Sequence, residues 1–490
     1  MIDIMWFRKD LRLEDNPALD SISKRSRVAA LYIFDVEIMQ GSDYSIIHHN
    51  FIEDSISDLT NNFISSGGEF NVFYSKTIAI FDLIHKKYGI KKVFSNHETG
   101  NWITFKRDKG ISDYFIQNRI DWVKLQTNGV IPGLKNRDGW SYKWNVRMNE
   151  PILPIPKLNK FIKIDIEYNV SRIKINNNGT VSKKLYEGGT RRGKYILEKF
   201  LNKTGQHYSK NISSPLKSEH SCSRLSPYLT YGNLSMRQIY QATKDRQSEL
   251  RQMKIRNGWL KSLSSFSSRL RWHCHFIQKL EMQPDLEFTN MVRAFDNLRP
   301  DINENYLSRW KNGEVGFPMV DACMRFLKTN GWINFRMRAM LVSFASYNLW
   351  IDWRVTSKFL SNYFIDYEPG IHYNQFQMQS GVTGINAIRI YNPIKQQADH
   401  DPDGKFVRKW CPELKNVPLE YLQYPHLMSG KRQKISECII GKDYPEPVVD
   451  LKISSLRARK YIYGILSKSE TKEEASAAYQ FHGSRRKSKR

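Results

Sequence analysis

The strongest constraint on this chain is a change of hydrophobic rhythm near residue 130. Before it, short β-rich apolar runs at 2–7, 28–34, 70–74, 92–95 and 122–125 alternate with stretches of helical period at 45–65, 77–88 and 102–117. Parallel strands need crossover connections, so the alternation predicts a doubly wound α/β domain over residues 1–130, its sheet covered on both faces. The turn after the first run holds no GxGxxG, which argues against a dinucleotide bound by that glycine fingerprint. Residues 131–187 carry Pro132, Pro151, Pro154, Pro156 and then Asn176-Asn177-Asn178-Gly179, and read as an interdomain connector. Beyond Gly188-Gly189, apolar spacings of three and four recur at 190–201, 235–242, 259–280, 318–329, 331–346 and 354–363. Residues 188–470 are therefore expected to form an all-α domain, and 471–490 a basic tail, with five positive charges between Ser484 and Arg490.

Charge narrows the partner. There are 76 Lys and Arg against 49 Asp and Glu, a formal net charge of +27. The same chain carries 12 Trp, 25 Tyr and 25 Phe, so the charge sits on a folded, aromatic-rich body rather than on a disordered basic protein. Such a surface attracts polyanions, nucleic acid first among them. Cys222, Cys274, Cys323, Cys411 and Cys438 are odd in number and lack a CxxC pair, which fits neither a disulfide framework nor a zinc ribbon. With no apolar run of 18 residues and no signal-like N-terminus, the expectation is a reduced, cytoplasmic monomer without a membrane segment or metal site.

The motif Trp6-Phe7-Arg8-Lys9-Asp10-Leu11-Arg12-Leu13-Glu14-Asp15-Asn16-Pro17-Ala18-Leu19 follows the first predicted strand. Further along stand Ser223-Arg224-Leu225-Ser226-Pro227-Tyr228, Trp310-Lys311-Asn312-Gly313, Gly331-Trp332, Ile351-Asp352-Trp353-Arg354 and Tyr391-Asn392-Pro393. In this order they resemble the photolyase/cryptochrome family. The resemblance implies a Rossmann-like antenna domain, a long connector and a helical FAD domain, together with blue-light chemistry on UV-damaged DNA. A photosensor without repair activity is the alternative.

Hydroxyls, a guanidinium and helix-start N–H groups suit a pyrophosphate, although helix capping explains Ser223 and Ser226 equally well. The resemblance assigns Ser223, Arg224, Leu225, Ser226 and Tyr208 to FAD, with Cys222 where a threonine is usual. It places Arg338 and Asp366 beside the flavin ring, Glu368 at its pyrimidine edge, and His372 opposite N5, where an imidazole can donate a hydrogen bond or act as a cation. Trp353 and Trp310 match two members of an electron-carrying tryptophan chain. Phe376 replaces the member nearest the flavin, and Tyr373, Tyr347, Trp350 or Trp332 offer a detour.

In the implied lesion pocket Trp272 keeps an aromatic wall, but Arg269 stands at the usual acid and Met378 at the second tryptophan. His273 and His275 are candidate proton donors. Arg336, Arg389 and Lys395, with Arg293, Arg299 and the tail, are candidate DNA contacts. A second, light-harvesting chromophore is expected in or beside the α/β domain. The segment Asn136-Arg137-Asp138-Gly139-Trp140 with Trp144 does not match the folate-type pattern.

Overall fold

The computed structural model describes residues 1–170, 175 and 186–483. Five parallel strands, β1 (Ile2–Phe7), β2 (Val28–Asp35), β3 (Phe70–Ser75), β4 (Ile90–Asn96) and β5 (Asp121–Leu125), form one sheet in the order β3-β2-β1-β4-β5. All five fall where the alternation places them. Four helices of seven residues or more accompany them: α1 (Pro17–Ser23), α2 (Ile46–Ser65), α3 (Thr77–Tyr88) and α4 (Trp102–Gln117). The first lies outside the predicted helices because seven residues are too few to show a period. It is set instead by its start: Asn16 accepts from the Leu19 N–H, and Pro17 suits the first turn.

The connector is more ordered than its prolines suggest. Trp140, Trp144 and Met148, four residues apart, form the buried face of α5 (Trp140–Met148). Trp140 Nε1 donates to the Gly129 carbonyl and to Gln278 Oε1, both at 3.1 Å. These tryptophans are core.

The C-terminal body is helical. Seven of its helices matter below: α6 (Met236–Gln252), α7 (Trp259–Met282), α8 (Phe335–Ser343), α9 (Trp353–Ser361), α10 (Pro369–Ser380), α11 (Pro393–His400) and α12 (Ser469–His482). The helix predicted over 331–346 starts later, because Gly331 ends the preceding helix in a left-handed conformation (φ 64°). Residues 471–482, assigned to the tail, belong to α12, where Thr471, Ala478 and His482 are buried. The arginine and lysine run at 484–490 lies outside the described residues.

Loop residues after β1 lock the two domains together. Arg12 Nη1 donates to the Gly232 carbonyl at 3.0 Å. Asp15 and Arg237 form a fully buried ion pair, and Arg237 also reaches Glu150 at 2.9 Å. Within the helical body, α10 is pressed onto α7 at Gly370, where a Cβ would stand 2.6 Å from the Ile277 Cα. Glycine there lets the two helices that build the site meet.

Candidate functional site

A cavity of about 290 Å³ opens between α7, α8 and α10. Helical spacing selects its walls. From α7 come Arg269, Trp272, His273 and Phe276, and from α10 His372, Gln375, Phe376 and Gln379, in each case residues three or four apart. Arg338 projects from α8, and Tyr208, Cys222, Ser223, Arg224, Ser226 and Asp366 complete the wall from other segments.

Arg338 donates to Asp366 Oδ2 at 3.0 Å and to the Ile333 carbonyl at 2.7 Å. Burial alone would raise the Asp366 carboxyl. Arg338 and the Ser226 hydroxyl outweigh it and hold the group below the usual range. Arg224 adopts a left-handed backbone (φ 57°), and its guanidinium lies 3.8 Å over the Trp332 ring with Tyr186 as hydrogen-bond partner. The Cys222 thiol is pushed up to about 12 by burial, so it stays neutral.

His372 corrects an expectation. Its Nε2 lies 3.0 Å from the Ser357 carbonyl, which only accepts, so Nε2 carries the proton and Nδ1 is an acceptor. Burial drives the imidazole down to about 3. The group is a neutral acceptor, neither a cation nor a free donor. His273 is likewise lowered to about 4 by burial.

Four assigned residues are off the wall. His275, two positions beyond His273, falls on the other side of α7, where Arg137 donates to its Nδ1 at 2.7 Å; it is no proton donor at the cavity. Met378 is displaced in the same way from Phe376, and Gln375 and Gln379 take the wall instead. Glu368 faces the first domain, with Lys9 Nζ 3.6 Å from its Oε2. Leu225 is buried in the core, its N–H turned to Ser223 Oγ. The tryptophan chain is also altered: Trp310 is fully buried, with Phe359 as its ring neighbour at 5.7 Å, so it does not lead to the surface.

At the mouth Trp272 is 46% exposed, and the Arg269 guanidinium lies 5.1 Å over its ring and 5.7 Å over that of Phe335. Arg336 lies over Tyr391 and, with Lys395, lowers the pKa of the neighbouring His400, whose largest perturbation is burial. Arg389 and Lys395 are exposed, although Lys395 is paired with Asp399 at 3.2 Å. Arg299 is buried with its donors on the Ser346 and Ser380 carbonyls, so it does not fit the assigned phosphate face, whereas Arg293 is exposed and, like Lys395, paired with a carboxylate, that of Asp296.

Four polar atoms of cavity residues are buried without a partner: Asp366 Oδ1, Asn334 Oδ1, Gln375 Nε2 and His273 Nδ1. Unpaired buried groups are costly, about 1–3 kcal/mol each. A mixed set of donors and acceptors complements a ring system with both N–H and carbonyl edges, such as isoalloxazine. Gln375 and Asn334 were legible only in part: Gln375 lies three residues from His372 on one helix, whereas nothing local marks Asn334.

A second cavity of about 100 Å³ lies at the carboxyl ends of β1 and β2, beside the switch of strand order between β1 and β4. It is lined by Arg8, Tyr32, Asp43, Glu98, Arg107 and Tyr367 among others. Among the described residues no helix is long and apolar enough to cross a membrane.

Known proteins bear on this geometry. Residues 3–139 match the family model described as DNA photolyase, and residues 266–463 the one described as FAD binding domain of DNA photolyase. A deoxyribodipyrimidine photo-lyase of Alkalihalophilus pseudofirmus is 26% identical, over 94% of this chain and 97% of its own. Cryptochrome-1 of Drosophila melanogaster is 25% identical, over 93% and 92%. The structure of an archaeal photolyase from Sulfolobus tokodaii with two FAD molecules superimposes with a TM-score of 0.74, at 24% identity, over 95% of this chain and all of that one. Since one family model takes in the sheet domain and its companion takes in the helices that build the larger cavity, the chain belongs to the photolyase/cryptochrome family and carries that family's FAD-binding domain.

Proposed function

We propose that this protein is a blue-light-dependent flavoprotein that binds UV-damaged DNA and repairs pyrimidine photoproducts by electron transfer from reduced FAD. The observation that carries this reading is the mouth of the larger cavity. Trp272 and Arg269 line the cavity where it meets the surface, so an extruded base stacks and finds hydrogen-bond donors beside the cofactor. FAD, when bound, supplies the photochemical electron transfer.

The chain's own residues hold and tune. Ser223 and Arg224 are assigned to the pyrophosphate, with Tyr208 nearby, and Arg338 with Asp366 orients the ring. With Nε2 spent on the Ser357 carbonyl, neutral His372 would offer Nδ1 as an acceptor to a ring N–H of bound flavin and so would favour a protonated over an anionic ring. Arg269 offers a fixed cation with planar donors where an acid was expected, so lesion recognition runs through guanidinium donation. Arg336, Arg389 and Lys395 take the DNA backbone. The smaller cavity is the place assigned to a light-harvesting chromophore. Its volume admits a ring fragment, so a whole chromophore requires neighbouring side chains such as Tyr32 to give way.

A photosensor without repair is the second reading, favoured by the missing acid and by Met378 lying off the wall. Chemically reduced protein is incubated with single- and double-stranded DNA carrying cyclobutane dimers or (6-4) photoproducts, and restored bases are counted in blue light and in darkness. Light-dependent restoration is expected. Bound, photoreducible FAD with no restoration on any substrate transfers the assignment to the photosensor.

A further inference from the structure

Phe376 and the buried Trp310 interrupt the family's tryptophan chain, and although Trp332 and Trp272 line the flavin cavity, a different redox-active pair lies behind its wall. The His372 ring, which lines the larger cavity, is 5.0 Å from the ring of Tyr367 and 5.6 Å from that of Tyr373. The two phenolic oxygens are 2.9 Å apart. Tyr367 also donates to Asp43 Oδ2 at 2.6 Å, and Asn101 Nδ2 holds the same carboxylate oxygen at 2.7 Å. Each phenol has one proton. A carboxylate only accepts, so Tyr367 spends its proton on Asp43, while Tyr373 has two partners for its own, the Tyr367 oxygen and the Glu287 carboxyl. The directed link is Tyr367 to Asp43. It crosses from the helical domain to the α/β domain, and Tyr367 and Asp43 line the smaller cavity.

We propose that Tyr367 is the electron donor to the photoexcited oxidised flavin, and that Asp43 accepts its phenolic proton. The inference rests on FAD occupying the larger cavity. One electron leaves the Tyr367 π system for the excited isoalloxazine. The Tyr367 O–H bond breaks and its proton moves to Asp43 Oδ2. A neutral tyrosyl radical and a flavin richer by one electron remain. The proton has to leave because a cationic phenol radical is strongly disfavoured in a buried site. Phenolate is not an alternative donor, since burial and Asp43 hold Tyr367 well above its ordinary pKa.

The other groups facing the pair are compatible. His48 lies 6.1 Å from Tyr367 and is neutral, lowered to about 4 by burial, with Nε2 donating to the Phe364 carbonyl. Glu287 is beside Tyr373, raised to about 7 by burial, and accepts from the Trp102 N–H at 2.7 Å. Trp353 is a further aromatic neighbour, fully buried 6.3 Å from Tyr373, and its Nε1 donates to Asn290 at 2.7 Å.

The test uses full-length FAD-loaded protein under blue-light flashes. Bound flavin is quantified first, then the yield of flavin photoreduction and the identity of the radical by transient absorption and electron paramagnetic resonance. Tyr367→Phe is expected to lower the yield at least tenfold with FAD content unchanged. Asp43→Asn is expected to lower it at least threefold, and Tyr373→Phe and Trp353→Phe to stay within threefold of wild type. In wild type, ring-deuterated tyrosine should narrow the radical signal, a readout that requires no variant to fold. A tryptophan radical that disappears in Trp353→Phe, or a wild-type yield in flavin-loaded Tyr367→Phe, overturns the proposal. Wild-type protein that takes up no FAD overturns the cofactor assignment itself and shows at the first step.

Discussion

The loop after β1 and the wall of the larger cavity both bury polar side chains, and they treat them in opposite ways. In the loop, Asp10 accepts from the Arg8 N–H at 2.7 Å, Arg12 donates to the Asp15 and Gly232 carbonyls, Asn16 donates to the Arg12 carbonyl, and Asp15 is paired with Arg237. On the cavity wall, Asp366, Asn334, Gln375 and His273 each keep one buried atom without a partner. A polar cluster that closes on itself holds a fold together, whereas one left open at several atoms is built for a ligand. From Asp10 to Asn16 the motif is therefore structural, while Arg8, which keeps its Nε unpartnered, lines the smaller cavity.

The contrast is broken most severely at Arg237. Replacing it with methionine leaves Asp15 buried and unpaired, which costs about 3–5 kcal/mol of stability. Because Asp15 and Arg237 line neither cavity, denaturant unfolding should show the same loss with and without FAD. A deficit that appears only in the presence of flavin would merge the two regions into one.

Asp366→Asn tests the other side and should do the reverse. Wild-type protein at a hundredfold excess of FAD over its dissociation constant gains about 2.7 kcal/mol. The variant keeps its shape and most of its flavin-free stability, while its affinity falls ten- to hundredfold, or about 1.4–2.7 kcal/mol. Thermal unfolding with and without flavin reads both numbers. An undiminished flavin-induced gain would remove Asp366 from the binding wall.

Acid sharpens the comparison because two cavity histidines are buried neutral. The ordinary histidine value is 6.5, and burial lowers His273 to about 4 and His372 to about 3. Between those values and 6.5 the unfolded chain binds a proton that the folded chain refuses. Stability therefore falls as pH drops below about 6.5, by up to about 1.4 kcal/mol per pH unit for each group. His372→Asn should flatten the curve by about one proton between pH 4 and 6. It should also change the lifetime of the photoreduced flavin, because Asn offers a donor where the neutral imidazole offers only an acceptor. An unchanged acid slope and an unchanged lifetime would place His372 outside this role.

How far such a site is legible depends on whether its information is local. Strand alternation locates the sheet, and helical spacing from Trp272 reaches Arg269 and His273 on one face of α7. The same arithmetic turns His275 away, and from His372 it leads to Gln375 and Gln379; it does not exclude Met378, three residues beyond Gln375, which only the packing leaves off the wall. Depth is another matter: Trp310 and Arg299 look like an electron carrier and a phosphate contact until tertiary packing covers both. The pairing of Tyr367 with Asp43 joins residues 324 positions apart across two domains, and no local pattern encodes it.

The smallest expected effect separates surface charge from buried charge at the cavity mouth. Arg336 is partly exposed over Tyr391, whereas Arg293 is tied to Asp296 and Arg299 is enclosed. If the mouth follows DNA phosphates, Arg336→Ala should weaken binding several-fold on any sequence and reduce the slope of log affinity against log salt by about one. Arg293→Ala should have the smaller effect on both, because Asp296 holds its guanidinium and competes with phosphate for it. Fluorescence anisotropy on undamaged and lesion-bearing duplexes across a salt series measures the two together. Equal losses in both variants would mean that the +27 net charge, acting as a diffuse field, and not a defined rim around Trp272, gathers the DNA.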